Sequence, residues 1–262
     1  LAQTFTLKQK TYTLWPTSLA MQMSTLQESI IPIQKSILNE RPQEKYISER
    51  TDIMPDINPE YISKYLSAHT PGPEGVFRHS SVLIPIFETE RGYELLFCKR
   101  SMTLRRQPGD VCFPGGSREG DESAIETALR ETCEEIGIEK KNIEILGQTD
   151  YVITTYGSII TPFAGLIKGV SPDRLKINPD EVEETFLVPL KFFMNREPEV
   201  HYVNIHFDIP DDFPFEHIVG GRNYGWSKGR QPELFYFYRH QVIWGFTARV
   251  VKNLCSILKG EI

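Results

Sequence analysis

The most regular feature of the chain is a series of apolar runs separated by polar turns. Residues 81–87 (SVLIPIF) and 93–99 (YELLFCK) read as strands joined by the polar turn at 88–92, and further strands fall at 142–148, 159–167 and about 186–189. The apolar period changes to three and four residues over 124–136, which predicts a helix, and a last helix is expected over 244–258. Strands interleaved with two helices suggest a layered α/β domain built on a mixed sheet.

The first 75 residues have a different character. Residues 3–15 alternate Thr and Lys with Phe5, Leu7, Tyr12 and Leu14, which suits an edge strand. A weak helix interrupted by Pro32 is expected over 24–38, and a short one over 59–68, with Pro59 at an early helical position. The breaker run 70–75 (TPGPEG) reads as a linker, dividing the chain into an extension and linker of unknown role, 1–75, and a main domain, 76–262. The extension holds too few apolar residues for a core of its own, so it is expected to dock on the main domain or on a second copy of the chain, as in a homodimer. Edge pairing is the natural way for such a strand to dock.

Composition narrows the classes of function. A length of 262 residues with 40% hydrophobic and 11% aromatic residues excludes wholesale disorder. A formal net charge of -6 spread over both halves argues against a nucleic-acid or anionic-membrane partner. It leaves an anionic small molecule open, because a bound divalent cation reverses the local field. Cys98, Cys112, Cys133 and Cys255 form no C-x-x-C pair, so no structural zinc site is expected. Cys133, inside the helical pattern, is expected to be a small buried thiol. Reduced thiols, with no membrane-length apolar run and no opening signal peptide, make the cytoplasm the expected compartment.

The chemistry concentrates at 116–138, GSREGDESAIETALRETCEEIGI. Ser123 and Glu126 form a capping box that starts the helix, and Gly137 stops it. Ile125, Ala128, Leu129, Thr132 and Ile136 form the face expected to meet the sheet. Glu131, Glu134 and Glu135 crowd another face, where like charges cost roughly 0.2–0.5 kcal/mol per pair. Only Arg130 lies close enough to offset them. A hard cation such as Mg²⁺ seeks oxygen ligands of this kind, so the cluster is either a metal platform or an ordinary acidic surface.

Spacing separates these alternatives. The stretch resembles the Nudix box, G-x5-E-x7-R-E-U-x-E-E-x-G-U, with Gly116, Glu122, Arg130, Glu131, Glu134, Glu135, Gly137 and Ile138 on its defined positions and Thr132 departing at the first apolar one. The resemblance implies a Nudix fold, a mixed β-sheet sandwiched between α-helices (α/β/α), and a diphosphate hydrolase using Mg²⁺ or Mn²⁺. It implies that Glu131, Glu134 and Glu135 hold metal and that Glu122 pairs with Arg130 to brace the loop. The general base stays open between Glu134, Glu135 and a carboxylate of 180–184 (DEVEE), a cluster whose bland reading is a solvated surface.

The segment before the box, with Arg100, Ser101, Arg105, Gly109 and the run Phe113-Pro114-Gly115-Gly116, is similar to the signature of coenzyme A diphosphatases. Segments at 161–165, 180–182, 188–190 and 243–248 look like the same family. The implied reaction cleaves coenzyme A or its acyl esters to 4′-phosphopantetheine, or its acyl form, and adenosine 3′,5′-bisphosphate. Arg100 and Arg105 would then bind substrate phosphates with Gly109, Phe113, Gly115 and Gly116 around them; the alternative is that both arginines pair with acidic groups and shape the loop. Gly115 and Gly116 lack side chains that would keep a phosphate from the backbone. Trp244 is expected to face the core, with adenine stacking as the alternative. ADP-ribose, NADH or a capped nucleotide is the competing substrate, and a catalytically silent nucleotide-binding domain is the competing class.

Overall fold

In a computed structural model of the chain, the structure describes residues 56–262 together with the backbone of 3–7 and 10–14. Two compact units divide at Pro73 and Glu74. In the first, strands β1 (Gln3–Leu7) and β2 (Lys10–Leu14) pair antiparallel from Gln3↔Leu14 to Leu7↔Lys10. Where one edge strand was expected, the Thr-rich alternation forms two strands that pair with each other. Helix α1 (Pro59–Ala68) is capped by Asn58, whose side chain accepts from the Tyr61 amide, with proline in its first turn. The helix expected over 24–38 lies outside the described residues.

The second unit is built on an eight-stranded mixed sheet. Its spine runs β10 (Val182–Pro189), β4 (Gly92–Arg100), β3 (Arg78–Thr89), β9 (Ser158–Ile167), β7 (Ile143–Gln148), with β3 and β9 parallel and the other spine pairs antiparallel. Short strands β5 (Val111–Cys112), β6 (Gly115–Ser117) and β8 (Val152–Ile153) pair with β4, β3 and β9 respectively. Helix α2 (Ala124–Ile136) covers one face, packing with Leu83, Phe87, Leu96 and Cys98. Helices α3 (Leu190–Met194) and α4 (Gly245–Lys259) cover the other, packing with Val82, Ile84, Ile86, Leu95 and Phe97. Successive residues of β3 and β4 thus enter opposite cores, which explains why both strands read as unbroken apolar runs. The architecture is α/β/α, a mixed sheet between helices.

A second sheet carries the segment that the apolar pattern left unassigned. Strands β11 (Glu199–Ile205), β12 (Gly229–Tyr238) and β13 (Gln241–Trp244) pair antiparallel in that order. Every residue of β11 except Ile205 is exposed, so β11 lacks the buried alternation by which a strand is recognised. Among the described residues no helix is long and apolar enough to cross a membrane.

Phe97 is fully buried, with ring centroids of Phe113, Phe186 and Phe193 at 4.8, 5.5 and 5.9 Å. It therefore ties β4 to the segment bearing the site, to β10 and to α3. Phe97→Ala should cost about 3–5 kcal/mol in denaturant unfolding, because it removes a fully buried ring and leaves a cavity among three others. A loss below about 1 kcal/mol would contradict this placement.

Candidate active site

The site lies where α2 meets the loop that precedes it. Ser123 accepts from the Glu126 amide while the Glu126 carboxylate accepts from the Ser123 amide, so the expected capping box is formed. Gly137 ends the helix at φ 70°, a conformation that side-chain-bearing residues rarely adopt. The buried face departs from expectation: Thr127, Ala128, Thr132, Glu135 and Ile136 are buried, whereas Ile125 and Leu129 are only half-buried. Thr127 turns inward because its hydroxyl donates to Glu122 at 3.0 Å, and Thr132 does so by donating to the Ala128 carbonyl at 2.7 Å. Cys133, expected to be buried, is half-buried.

Arg130 is the hub. Its Nε donates to Glu122 at 2.8 Å, its Nη1 to Glu131 at 2.9 Å and to Glu134 at 3.0 Å, and its Nη2 to the Ser117 carbonyl at 3.1 Å. The guanidinium holds the Glu122 carboxyl at about 2, well below its ordinary range, and the Arg130 pKa is raised in turn. The expected brace between loop and helix is present in the structure.

Gly115 and Gly116 are required by close packing of the chain around them. A Cβ on Gly115 would lie 2.3 Å from the Ser81 carbonyl oxygen, and one on Gly116 would lie 2.4 Å from the Glu131 carboxyl. The space freed by these glycines is occupied by β3 and by Glu131. Phe113, expected around the substrate, is 3% exposed, and its ring packs in the core on Phe97.

Glu135 is the most unusual carboxyl. It is 6% exposed and its Oε2 is buried without a hydrogen-bond partner. Burial, then the charges of Glu131 and Glu181, push its pKa up to about 8. Burial likewise raises Glu131 despite the opposing pull of Arg130. Glu181 is the residue that sequence reasoning did not single out within 180–184. It is brought in by a turn in which the Asn178 amide donates to the Glu135 carbonyl at 2.8 Å and the Ser101 amide donates to the Glu181 carbonyl at 2.9 Å. Its neighbours Glu183 and Glu184 face Lys99, at 3.5 and 3.6 Å, so the cluster divides between site and surface.

Among the described residues no three His, Cys, Asp or Glu side chains stand close enough to share an ion in these rotamers, with Glu134 exposed and drawn to Arg130. The donor set nevertheless fits a hard divalent cation. It is all oxygen, burial raises the carboxyls of both Glu131 and Glu135, and one buried oxygen lacks any partner.

Of the substrate-binding candidates, Arg100 donates from Nη2 to the Arg106 carbonyl at 3.4 Å and has a buried Nε with no partner, while Arg105 is exposed. Neither forms an ion pair among the described residues, so the reading in which both pair with acidic groups does not hold. Gly109, at φ 74°, closes the loop by donating to the Arg100 carbonyl at 3.1 Å. Trp244, expected to face the core, is 40% exposed: β13 alternates, burying Gln241 and Ile243 and turning Val242 and Trp244 outward.

Comparison with known proteins bears on these residues. Residues 77–207 match the NUDIX domain family. The chain is 34% identical over 182 residues to an uncharacterized Nudix hydrolase, NudL, of Photorhabdus laumondii, covering 68% of this chain and 84% of that protein. It is 37% identical over 123 residues to the peroxisomal coenzyme A diphosphatase NUDT7 of Mus musculus, covering 47% of this chain and 50% of that one. Among solved structures, the MutT protein of Methanosarcina mazei aligns over 48% of this chain and 86% of that one, at 27% identity and a TM-score of 0.37.

The raised Glu135 carboxyl makes a prediction with a definite sign. Folding raises this pKa from its ordinary 4.5 to about 8, so the folded chain binds the proton more tightly than the unfolded chain does. Stability from this group is therefore present at the acidic end and is lost as pH rises through that window. In EDTA, the melting temperature should fall between about pH 6 and about pH 8.5, and Glu135→Gln should remove most of the fall. Equal slopes in both proteins would contradict the placement of this carboxyl.

Proposed function

The chain belongs to the Nudix hydrolase family, enzymes that act on phosphorus anhydrides, and on that premise we propose that it cleaves the diphosphate of coenzyme A or its acyl esters. Hydrolysis of a nucleoside diphosphate derivative with a divalent metal ion follows from family membership. The observation that carries the finer reading is the setting of Arg100. Its guanidinium has no acidic partner among the described residues, it acts by charge on Glu135, and it belongs to the loop signature similar to that of coenzyme A diphosphatases. The match to NUDT7 supports the same substrate.

In this reading Glu131, Glu134 and Glu135 hold Mg²⁺ or Mn²⁺, which when bound neutralises phosphate oxygens and lowers the pKa of an attacking water. Arg130 and Glu122 fix the helix against the loop, so that the carboxylates keep their places. Glu181, half-buried beside Glu131 and Glu135, is the group proposed to take the proton from the attacking water, since Glu134 is exposed and held by Arg130. Arg100 and Arg105 meet the negative charge of the substrate. Gly109, Gly115 and Gly116 shape the loop, and the proposed setting is the cytoplasm, consistent with four free thiols.

Mass spectrometry of the products made from coenzyme A, ADP-ribose and NADH with Mg²⁺ or Mn²⁺ tests this reading. Coenzyme A should yield 4′-phosphopantetheine and adenosine 3′,5′-bisphosphate faster than the others react. Glu131→Gln and Glu135→Gln should lower kcat at least about 100-fold with the fold intact. Faster turnover of ADP-ribose or NADH would overturn the substrate, and near-normal kcat in a folded Glu135→Gln protein would overturn the metal assignment.

A further inference from the structure

Trp244 stands between the end of β13 and the start of α4, and its ring lies parallel to that of Phe235, with centroids 5.6 Å apart and 15° between planes. A large aromatic held by stacking yet left 40% exposed has a fixed ring with surface free to meet a ligand. Beside it opens a cavity of about 240 Å³ whose lining includes Trp244, Tyr156, Arg100, Arg249, Asp110 and Glu233. Like Arg100, Arg249 forms no ion pair among the described residues. It projects from the first turns of α4, where Thr247 donates to the Val111 carbonyl at 3.0 Å and locks the helix to β5.

Arg100 joins this cavity to the carboxylate cluster. It acts on Glu135 by charge, and together with Cys112 it lines the cavity. The cavity is smaller than the roughly 300–1,000 Å³ of sites that enclose a drug-sized ligand, so it suits one moiety of a larger substrate. Its chemistry is that of a nucleoside phosphate. Aromatic rings stack on a base, guanidiniums take phosphate oxygens, and carboxylates accept from ring amines or ribose hydroxyls. A pantetheine arm offers neither a ring to stack nor an added negative charge.

We infer that this cavity is the subsite for the nucleoside end of the substrate, with the base on Trp244 and the phosphate lying outside the cleaved diphosphate held by Arg249 together with Arg100. The 3′-phosphate half of this assignment rests on the coenzyme A reading above; the base half requires only a nucleoside diphosphate derivative.

Calorimetric binding of adenosine 3′,5′-bisphosphate, AMP and 4′-phosphopantetheine to the full chain tests both halves. Trp244→Ala should weaken both nucleotides about tenfold, within the range that base–aromatic stacking contributes, and Trp244→Phe should restore most of it. Arg249→Ala should weaken the bisphosphate about tenfold while AMP stays within about twofold. In turnover, both losses should appear in KM, with kcat changed less than about twofold, whereas a merely structural role would lower kcat and the melting temperature together. Unchanged bisphosphate affinity in folded Trp244→Ala and Arg249→Ala proteins overturns the inference. So does a Trp244→Ala loss confined to 4′-phosphopantetheine, which would assign the cavity to the other end of the substrate. If the wild-type protein leaves coenzyme A uncleaved yet AMP binding still depends on Trp244, the coenzyme A reading falls and the base platform stands.

Discussion

The Arg130 guanidinium meets three carboxylates, those of Glu122, Glu131 and Glu134, and the geometry of the site follows from how little of their charge one cation can offset. Its tightest bond fixes Glu122, which Thr127 also holds, so the loop before the helix is pinned to the helix itself. Gly116 leaves room for Glu131 to lie against that loop, and Gly115 lets the loop close on β3. The turn at Asn178 then hangs Glu181 from the last carbonyls of α2. Negative charge is thus gathered faster than positive charge, and Glu135 is left buried with an unsatisfied oxygen. An isolated buried carboxylate is costly, so the group either keeps its proton or acquires a cation.

The rigidity needed to impose this crowding comes from the sheet. Alternate side chains of β3 and β4 enter two cores, so neither strand can shift without opening both. Phe97 anchors one core beneath the segment that carries Gly115, while Leu83 and Cys98 anchor the other beneath α2. The second sheet, β11 to β13, places Trp244 beside Arg100 through the rigid start of α4.

Much of this was legible in the chain because its signals are local. The capping box at Ser123, the stop at Gly137 and the spacing from Gly116 to Ile138 all act within one helix and its entry loop. Residues placed by distant partners were not legible. Thr127 turns inward for a bond to Glu122, and Glu181 depends on a turn hung from the end of α2. Arg249 comes to line one cavity with Arg100 only through the packing of α4 on β5. Trp244 was expected inside because indoles usually are, and the alternation of a strand that the apolar pattern did not reveal turned it out. Phe113 failed in the opposite sense, since its place in a functional run hid its packing on Phe97. The hairpin of β1 and β2 shows the same limit, for alternation marks a strand without saying which strand it will pair with.

In this proposal the half-buried Glu131 and the buried Glu135 are completed by a divalent cation. Calorimetric titration of Mn²⁺ into the metal-free protein at about pH 7, repeated in buffers of different ionisation enthalpy, counts the protons displaced on binding. With Glu135 raised to about 8, saturating binding should release close to one proton, and Glu135→Gln should release almost none. Tight binding with no proton released by the wild-type protein, or the same release from both proteins, would contradict the account.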